Sequence, residues 1–261
     1  MIFGLIIIGD EILSGKRADQ HFSKVVQLLG ARGLQLDWAE YLGDDPARIT
    51  ATLKRTFASA DIVFCCGGIG ATPDDHTRLA AAAALGRPLL MHPEGKANIE
   101  QRILDMGREA GRPADLNSPE NLHRLKMAEF AEGAALIPNP YNRIAGFALG
   151  SHYFVPGFPV MAWPMIEWVL DTHYAHLFNR APRAEQAVLV FETAESALTP
   201  LMESLEAQFP LVKVFSLPSV GDASTRRHIE LGVKGEPAQT AGAFAIMCGE
   251  LDRMKAEYHK I

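Results

Sequence analysis

Residues 2–8 are almost continuously apolar, with Ile2, Phe3, Leu5, Ile6, Ile7 and Ile8 interrupted only by Gly4. A run this short and uniform predicts a strand covered on both faces. Polarity then rises, and in "ADQHFSKVVQLLGARGL" Phe22, Val25, Val26 and Leu29 recur at helical spacing before Gly30 and Gly33 close the pattern. "QLDWAEYL" (35–42) predicts a second strand. "DPARITATLKRTFASA" predicts a helix with Asp45 as its cap and Pro46 in its first turn, and "DIVFCC" (61–66) a third apolar strand. Strand alternating with helix implies a parallel sheet with helices on both faces.

The pattern continues with helices over 77–85 and over "PEGKANIEQRILDMGREAG", then a loop at "GRPADLNSPE" (111–120). Short apolar runs at 134–139, 146–150 and 152–157 are spaced like strands of a hairpin or sheet edge. A helix over 160–178 follows, with Pro164 expected in its first turn. Around "NRAPRAE" (179–185) the pattern breaks and restarts as strand, helix, two strands joined by "PSVGDAST", and a closing helix. The expected organisation is therefore an α/β domain over residues 1–180 and a small α+β domain over 184–261.

Composition narrows the function classes. The 261 residues are 48% hydrophobic and 21% charged, with a net charge of −6. That balance belongs to a folded globular chain and argues against nucleic acid or an anionic membrane as a partner. The N-terminal apolar run is too short to span a bilayer and lacks the charged lead of a signal peptide. Three cysteines give neither a disulfide framework nor a paired metal pattern, so a reducing cytoplasm is the expected location.

Ligands of open parallel sheets bind beyond the carboxyl ends of the strands. The loops there are "GDEILSG", "GDDP" and "GGIGATPDDHT", each combining glycine with acid. Gly67, Gly68 and Gly70 would let backbone N–H groups approach an anion, assisted by the N-terminus of the next helix. Asp74 and Asp75 would repel a phosphate unless a divalent cation intervened, and such oxygen ligands suit Mg²⁺. The same string also reads as a sharp turn with Asp74 capping a helix. Asp10 and Glu11 are metal ligands or the start of a turn, and Asp44 is a cap or a freer side chain beside Asp45. Cys65 and Cys66 read as a buried strand end rather than reactive thiols. His173 and His176 read as a solvated helix face, and Pro156, Gly157 and Pro159 as a rigid turn before a helix.

In order, "GDEILSGKRAD", "GDDPARI", "GGIGATPDDHT", "IPNP" with "AGF", and "PGFP" with "PM" resemble the MoaB/Mog-like molybdopterin-binding domain. The nearest branch is the N-terminal domain of the CinA (competence/damage-inducible) family, and residues 183–261 resemble the small domain that follows it. The deamidase domain that often ends such chains is expected to be absent here. The resemblance implies a three-layer α/β/α sandwich with a mostly parallel sheet, a pterin-phosphate or nucleotide ligand at the Gly-rich loop, and a homo-oligomer, dimer or trimer. It implies Asp44 and Asp75 as catalytic acids. Gly67, Gly68, Gly70, Thr72, Asp74, Pro156 and Gly157 match ligand-binding positions. Asp10, Glu11 and Asp75 are the implied holders of a divalent metal, Mg²⁺, Mn²⁺ or Co²⁺.

Several positions depart from the family pattern. Cys66 stands where threonine is usual, Ala71 where proline is, and His21 where asparagine is; Asn142-Arg143 replaces a Gly-Thr pair, and Ala145 a proline. Val160 and Met161 replace a hydroxyl and a carboxylate. The expected function is a metal-dependent pyrophosphatase acting on an ADP-ribose-like diphosphate. The alternative is a molybdopterin- or nucleotide-binding protein that lacks the chemistry.

Overall fold

In the first strand, β1 (Phe3–Ile8), side chains alternate between two cores even though every residue is buried. Phe3, Leu5 and Ile7 enter one apolar cluster, and Ile6 and Ile8 the other. The computed structural model describes residues 1–180, 184–222 and 224–261, and its chain forms two compact units, Met1–Phe178 and Asn179–Ile261. The restart predicted near 179–185 includes 181–183, and the turn "PSVGDAST" includes 223; these lie outside the described residues.

The first unit runs β1, α1 (Asp10–Leu13), α2 (His21–Gly30), β2 (Trp38–Leu42), α3 (Pro46–Phe57), β3 (Ile62–Cys66) and α4 (Thr77–Leu85). An excursion follows through β4 (Leu89–Met91), α5 (Pro93–Glu109), α6 (Pro119–Leu125) and β5 (Glu129–Ala131). The chain then returns as β6 (Ala135–Ile137), β7 (Gly146–Leu149), β8 (His152–Val155) and α7 (Pro159–His173). The central sheet has the order β2-β1-β3-β8-β7-β6. Its first four strands are parallel, and β7 is antiparallel to both neighbours. Residues of α2 and α7 (Val25, Leu29, Met165, Val169) pack on one face, and those of α3 and α4 (Ile49, Leu53, Ala80, Ala81) on the other. This is a three-layer α/β/α arrangement.

The second unit runs β9 (Ala184–Phe191), α8 (Glu195–Gln208), β10 (Val212–Ser219), β11 (His228–Gly235), α9 (Pro237–Arg253) and β12 (Tyr258–Lys260). Its antiparallel sheet, ordered β10-β11-β9-β12, shares one core with both helices.

Some local expectations change. In α2 the buried residues are His21, Val25, Leu28 and Leu29, whereas Phe22 and Val26 face solvent. The rotation is anchored by His21, whose Nε2 donates to the Gly157 carbonyl at 3.0 Å. The loop predicted at 111–120 ends early, because Ser118 accepts the Asn121 N–H and starts α6 at Pro119. Pro164 lies at the sixth residue of α7 rather than in its first turn, leaving the carbonyl of the exposed Val160 without a helical donor. Strands β4, β5 and β12 are three residues each, too short for alternation to register.

Candidate functional site

The parallel strands end at one edge of the sheet, and there the loops after β1, β2, β3 and β8 enclose a cleft of about 470 Å³ with the 138–145 turn between β6 and β7. Of the expected residues, Glu11, Asp44, Gly67, Gly68, Gly70, Thr72, Asp74, Asp75, Pro156 and Gly157 line it. Asp10 does not. It sits behind Asp44, and the two exchange hydrogen bonds through their backbone N–H groups and carboxylates.

The glycines first serve the turn. Gly67 has φ +111°, and a Cβ there would lie 2.2 Å from the Ile8 carbonyl oxygen; at Gly68, φ is +67° and a Cβ would lie 2.3 Å from Thr77 Oγ1. The Gly67 N–H is taken by Val155 O, and the Gly70 N–H by Asp75 Oδ1. Among the described residues no protein acceptor takes the N–H groups of Gly68, Ile69 or Ala71. These, rather than the N–H groups of Gly67 and Gly70, are the donors left for an anion.

Asp75 fastens this loop. Its carboxylate accepts from Gly70 N–H at 2.9 Å, from Thr72 N–H at 2.8 Å and from the Thr72 hydroxyl. Asp74 is not the helix cap: α4 begins at Thr77 after His76, with no side-chain cap. Asp45, by contrast, caps α3 by accepting from Ala47 and Arg48 N–H. A second brace comes from Arg78, which is buried. Its guanidinium donates to the carbonyls of Ile69, Gly70, Lys126 and Glu129, tying the loop to the excursion.

The acidic half of the cleft has an unbalanced field. Burial raises the Asp44 carboxyl above the usual carboxylate range, and the charges of Asp10, Glu11 and Asp74 raise it further, against the Asp10 N–H bond. Arg17 lines the same half and, among the described residues, has no ion-pair partner. It stands inside the first motif, and the sequence reading passed over it. Among the described residues no three His, Cys, Asp or Glu side chains converge as a ready-made metal cage.

The other half is built from Asn139, Asn142, Ile144, Ala145, Phe158, Met161 and Met127. Asn139 Nδ2 donates to Asn142 Oδ1 and to the Ile144 carbonyl, both at 2.9 Å. Asn142 Oδ1 also accepts the Ile144 N–H, and Asn142 Nδ2 donates to Met161 Sδ at 3.4 Å. Two of the departures from the family pattern, at 142 and 161, therefore meet. Burial pushes the thiols of Cys65 and Cys66 well up, so neither is a poised nucleophile. His173 stacks on Tyr153, outside the cleft.

Residues 4–176 match the sequence profile of a family described as "Probable molybdopterin binding domain". The chain belongs to that family. Among similar chains is a CinA-like protein of Syntrophotalea carbinolica, 30% identical over 84% of this chain and 54% of its own length. Another is a CinA-like protein of Geobacter metallireducens, 32% identical over 79% of this chain and 49% of its own. The chain thus spans about half the length of the curated relatives it matches. A crystal structure of the protein CinA, of unknown function, from Thermoplasma acidophilum is 25% identical with a TM-score of 0.54, covering 65% of this chain and 95% of that one. The domain matched by that family is an α/β fold with a mostly parallel central sheet. No helix among the described residues is long and apolar enough to cross a membrane.

Proposed function

We propose that the cleft binds a nucleoside-diphosphate-type ligand and hydrolyses its pyrophosphate bond, with an ADP-ribose-like diphosphate as substrate and a divalent cation as cofactor. The observation that carries this reading is the pairing, in one half of the cleft, of unused backbone N–H groups at Gly68, Ile69 and Ala71 with Arg17 and an excess of carboxylates. The donors suit phosphate oxygens. Burial raises the proton affinity of Asp44 and the charges of Asp10, Glu11 and Asp74 raise it further; a cation would balance those charges.

Glu11 and Asp74 would hold that cation together with phosphate oxygens, the mode Mg²⁺ commonly takes with few protein carboxylates. When bound, the cation supplies charge neutralisation on the phosphates. Asp44 accepts the proton of the attacking water, for which a raised carboxyl is suited. Asp75 keeps the loop donors aimed. Water adds to phosphorus, the bridging P–O bond breaks, and two phosphomonoesters leave. Met161, a thioether where the family pattern has a carboxylate, favours a second reading, in which the cleft binds nucleotide or molybdopterin without chemistry.

The test is phosphomonoester release from ADP-ribose, FAD and coenzyme A with Mg²⁺, Mn²⁺ or Co²⁺. Turnover lost in Asp44→Asn supports hydrolysis. Ligand stabilisation without product leaves the binding reading, and neither product nor stabilisation sinks both.

A further inference from the structure

At the edge of the central sheet opposite the cleft, where the parallel strands β3 and β8 begin, lies a smaller cavity of about 200 Å³. Phe57, Leu85 and Leu149 give it an apolar wall, and Asp61, Arg87 and His152 supply its charged and titratable groups. The volume is that of roughly seven waters, below the roughly 300–1,000 Å³ of common cofactor and drug-sized sites. It suits a small molecule.

His152 is only 2% exposed. Thr56 Oγ1 gives its own proton to the Leu53 carbonyl, so it accepts from His152 Nε2, 2.9 Å away. The ring proton therefore sits on Nε2 and leaves Nδ1 a bare acceptor. Burial lowers the pKa to about 4, which keeps the ring neutral at pH 7. Among the described residues nothing donates to Nδ1, yet it is not sealed in the interior, and its outlet is this cavity.

The two charges beside it are also underused. Asp61 Oδ2 accepts from Trp38 Nε1 at 3.0 Å, and Oδ1 has no donor among the described residues. Arg87 donates through Nη1 to the Glu132 carbonyl and keeps the rest of its fork. Among the described residues it has no ion-pair partner, Asp61 included, although both line the one cavity.

We propose that this cavity is a second binding site, for a small zwitterion of the α-amino-acid type. Its carboxylate lies on the Arg87 fork, its ammonium donates to Asp61 Oδ1 and His152 Nδ1, and an aliphatic side chain rests on the apolar wall. A carboxylate alone would meet the charge of Asp61 and leave Nδ1 unpaired; an amine alone would leave Arg87 without a partner. The site shares no lining residue with the cleft, so it does not depend on the diphosphate reading.

The experiment is calorimetric titration of the protein with L-valine, with isobutyrate and isobutylamine as its two halves, and with valine again after saturation by inorganic pyrophosphate. Valine is expected to bind with a Kd of about 1 mM or tighter, and each half at least about tenfold more weakly. Arg87→Met, at an exposed position, and Asp61→Asn, which keeps an acceptor for Trp38, are each expected to weaken valine at least about tenfold. Circular dichroism melts establish that each variant is folded, and if one is not, the other decides. In ¹⁵N spectra the His152 Nδ1 signal is expected to move from the bare towards the hydrogen-bonded position as valine is added. Absence of saturable valine binding, unchanged affinity in a folded variant, or an Nδ1 signal unmoved at saturation overturns the site. A half that binds as tightly as valine overturns the zwitterion assignment, and competition by pyrophosphate puts the ligand in the cleft instead. None of these results bears on hydrolysis there.

Discussion

Asp10 and Asp44, on loops after neighbouring strands, clasp one another. The Asp10 N–H donates to Asp44 Oδ2 at 2.9 Å, and the Asp44 N–H donates to Asp10 Oδ1 at 3.2 Å. Two backbone donors thus hold two like-charged side chains together, Asp44 in the cleft wall and Asp10 behind it, and Glu11 and Asp74 add to the repulsion on Asp44.

Because the folded state raises the Asp44 carboxyl, it holds that proton more tightly than the unfolded chain does. The associated stability is present at low pH and lost as pH rises through the folded-state value. Asp44→Asn is expected to stabilise the protein by about 0.5–1 kcal/mol at pH 7 and hardly at all at pH 3. Urea melts at the two pH values check this, and Mg²⁺ is expected to raise the wild-type midpoint more than the variant's.

Asp75→Ala leaves the Gly70 and Thr72 N–H groups without their carboxylate and is expected to cost about 2 kcal/mol and abolish ligand-induced stabilisation. Thr72→Val removes only the hydroxyl donor and is expected to cost about 1 kcal/mol. Thermal melts with and without ADP-ribose measure both effects.

Arg78→Met strips the donor from four carbonyls on two chain segments and is expected to destabilise by about 3 kcal/mol. Hydrogen exchange is expected to speed up in the 69–72 and 126–129 stretches together. Faster exchange in only one of them would show that the guanidinium does not couple them.

Gly68 and Gly86 both have positive φ, +67° and +62°, but only at Gly68 would a Cβ meet another group. Gly86→Ala is expected to cost about 1 kcal/mol and leave binding unchanged, and Gly68→Ala about 2–3 kcal/mol with loss of binding. Paired melts and titrations compare them.

His152 is buried, lies tilted against Phe57 with ring centroids 4.1 Å apart and donates through Nε2 to Thr56 Oγ1. Burial lowers its pKa from 6.5 to about 4, partly opposed by Asp61. The unfolded chain therefore takes up the proton first, and stability is lost as pH falls from about 6.5 towards 4, by about 3 kcal/mol in all. His152→Phe is expected to flatten that acid limb in denaturant titrations.

The sheet could be read from the chain because its strands, Phe3–Ile8 and Ile62–Cys66 above all, are apolar runs set off by polar and glycine-containing loops. The pocket was legible as a set of loops, since glycine and acid cluster at strand ends. The roles within it were not. Whether a loop N–H is free depends on partners distant in sequence, such as Val155 for Gly67. Arg78 sits in an alanine-rich helix whose sequence gives no sign that its side chain turns inward beneath the loop. The Asn142–Met161 contact joins positions whose significance shows only when they touch.

The strand order separates the two halves of the cleft along the chain, one built from residues 8–75 and the other from 127–161. During synthesis the donor loop and its acids emerge early, while the uncharged wall arrives only when β8 pairs with β3 and α7 follows. The cleft is thus completed late in the life of the nascent chain, and no fragment ending before Met161 carries both halves.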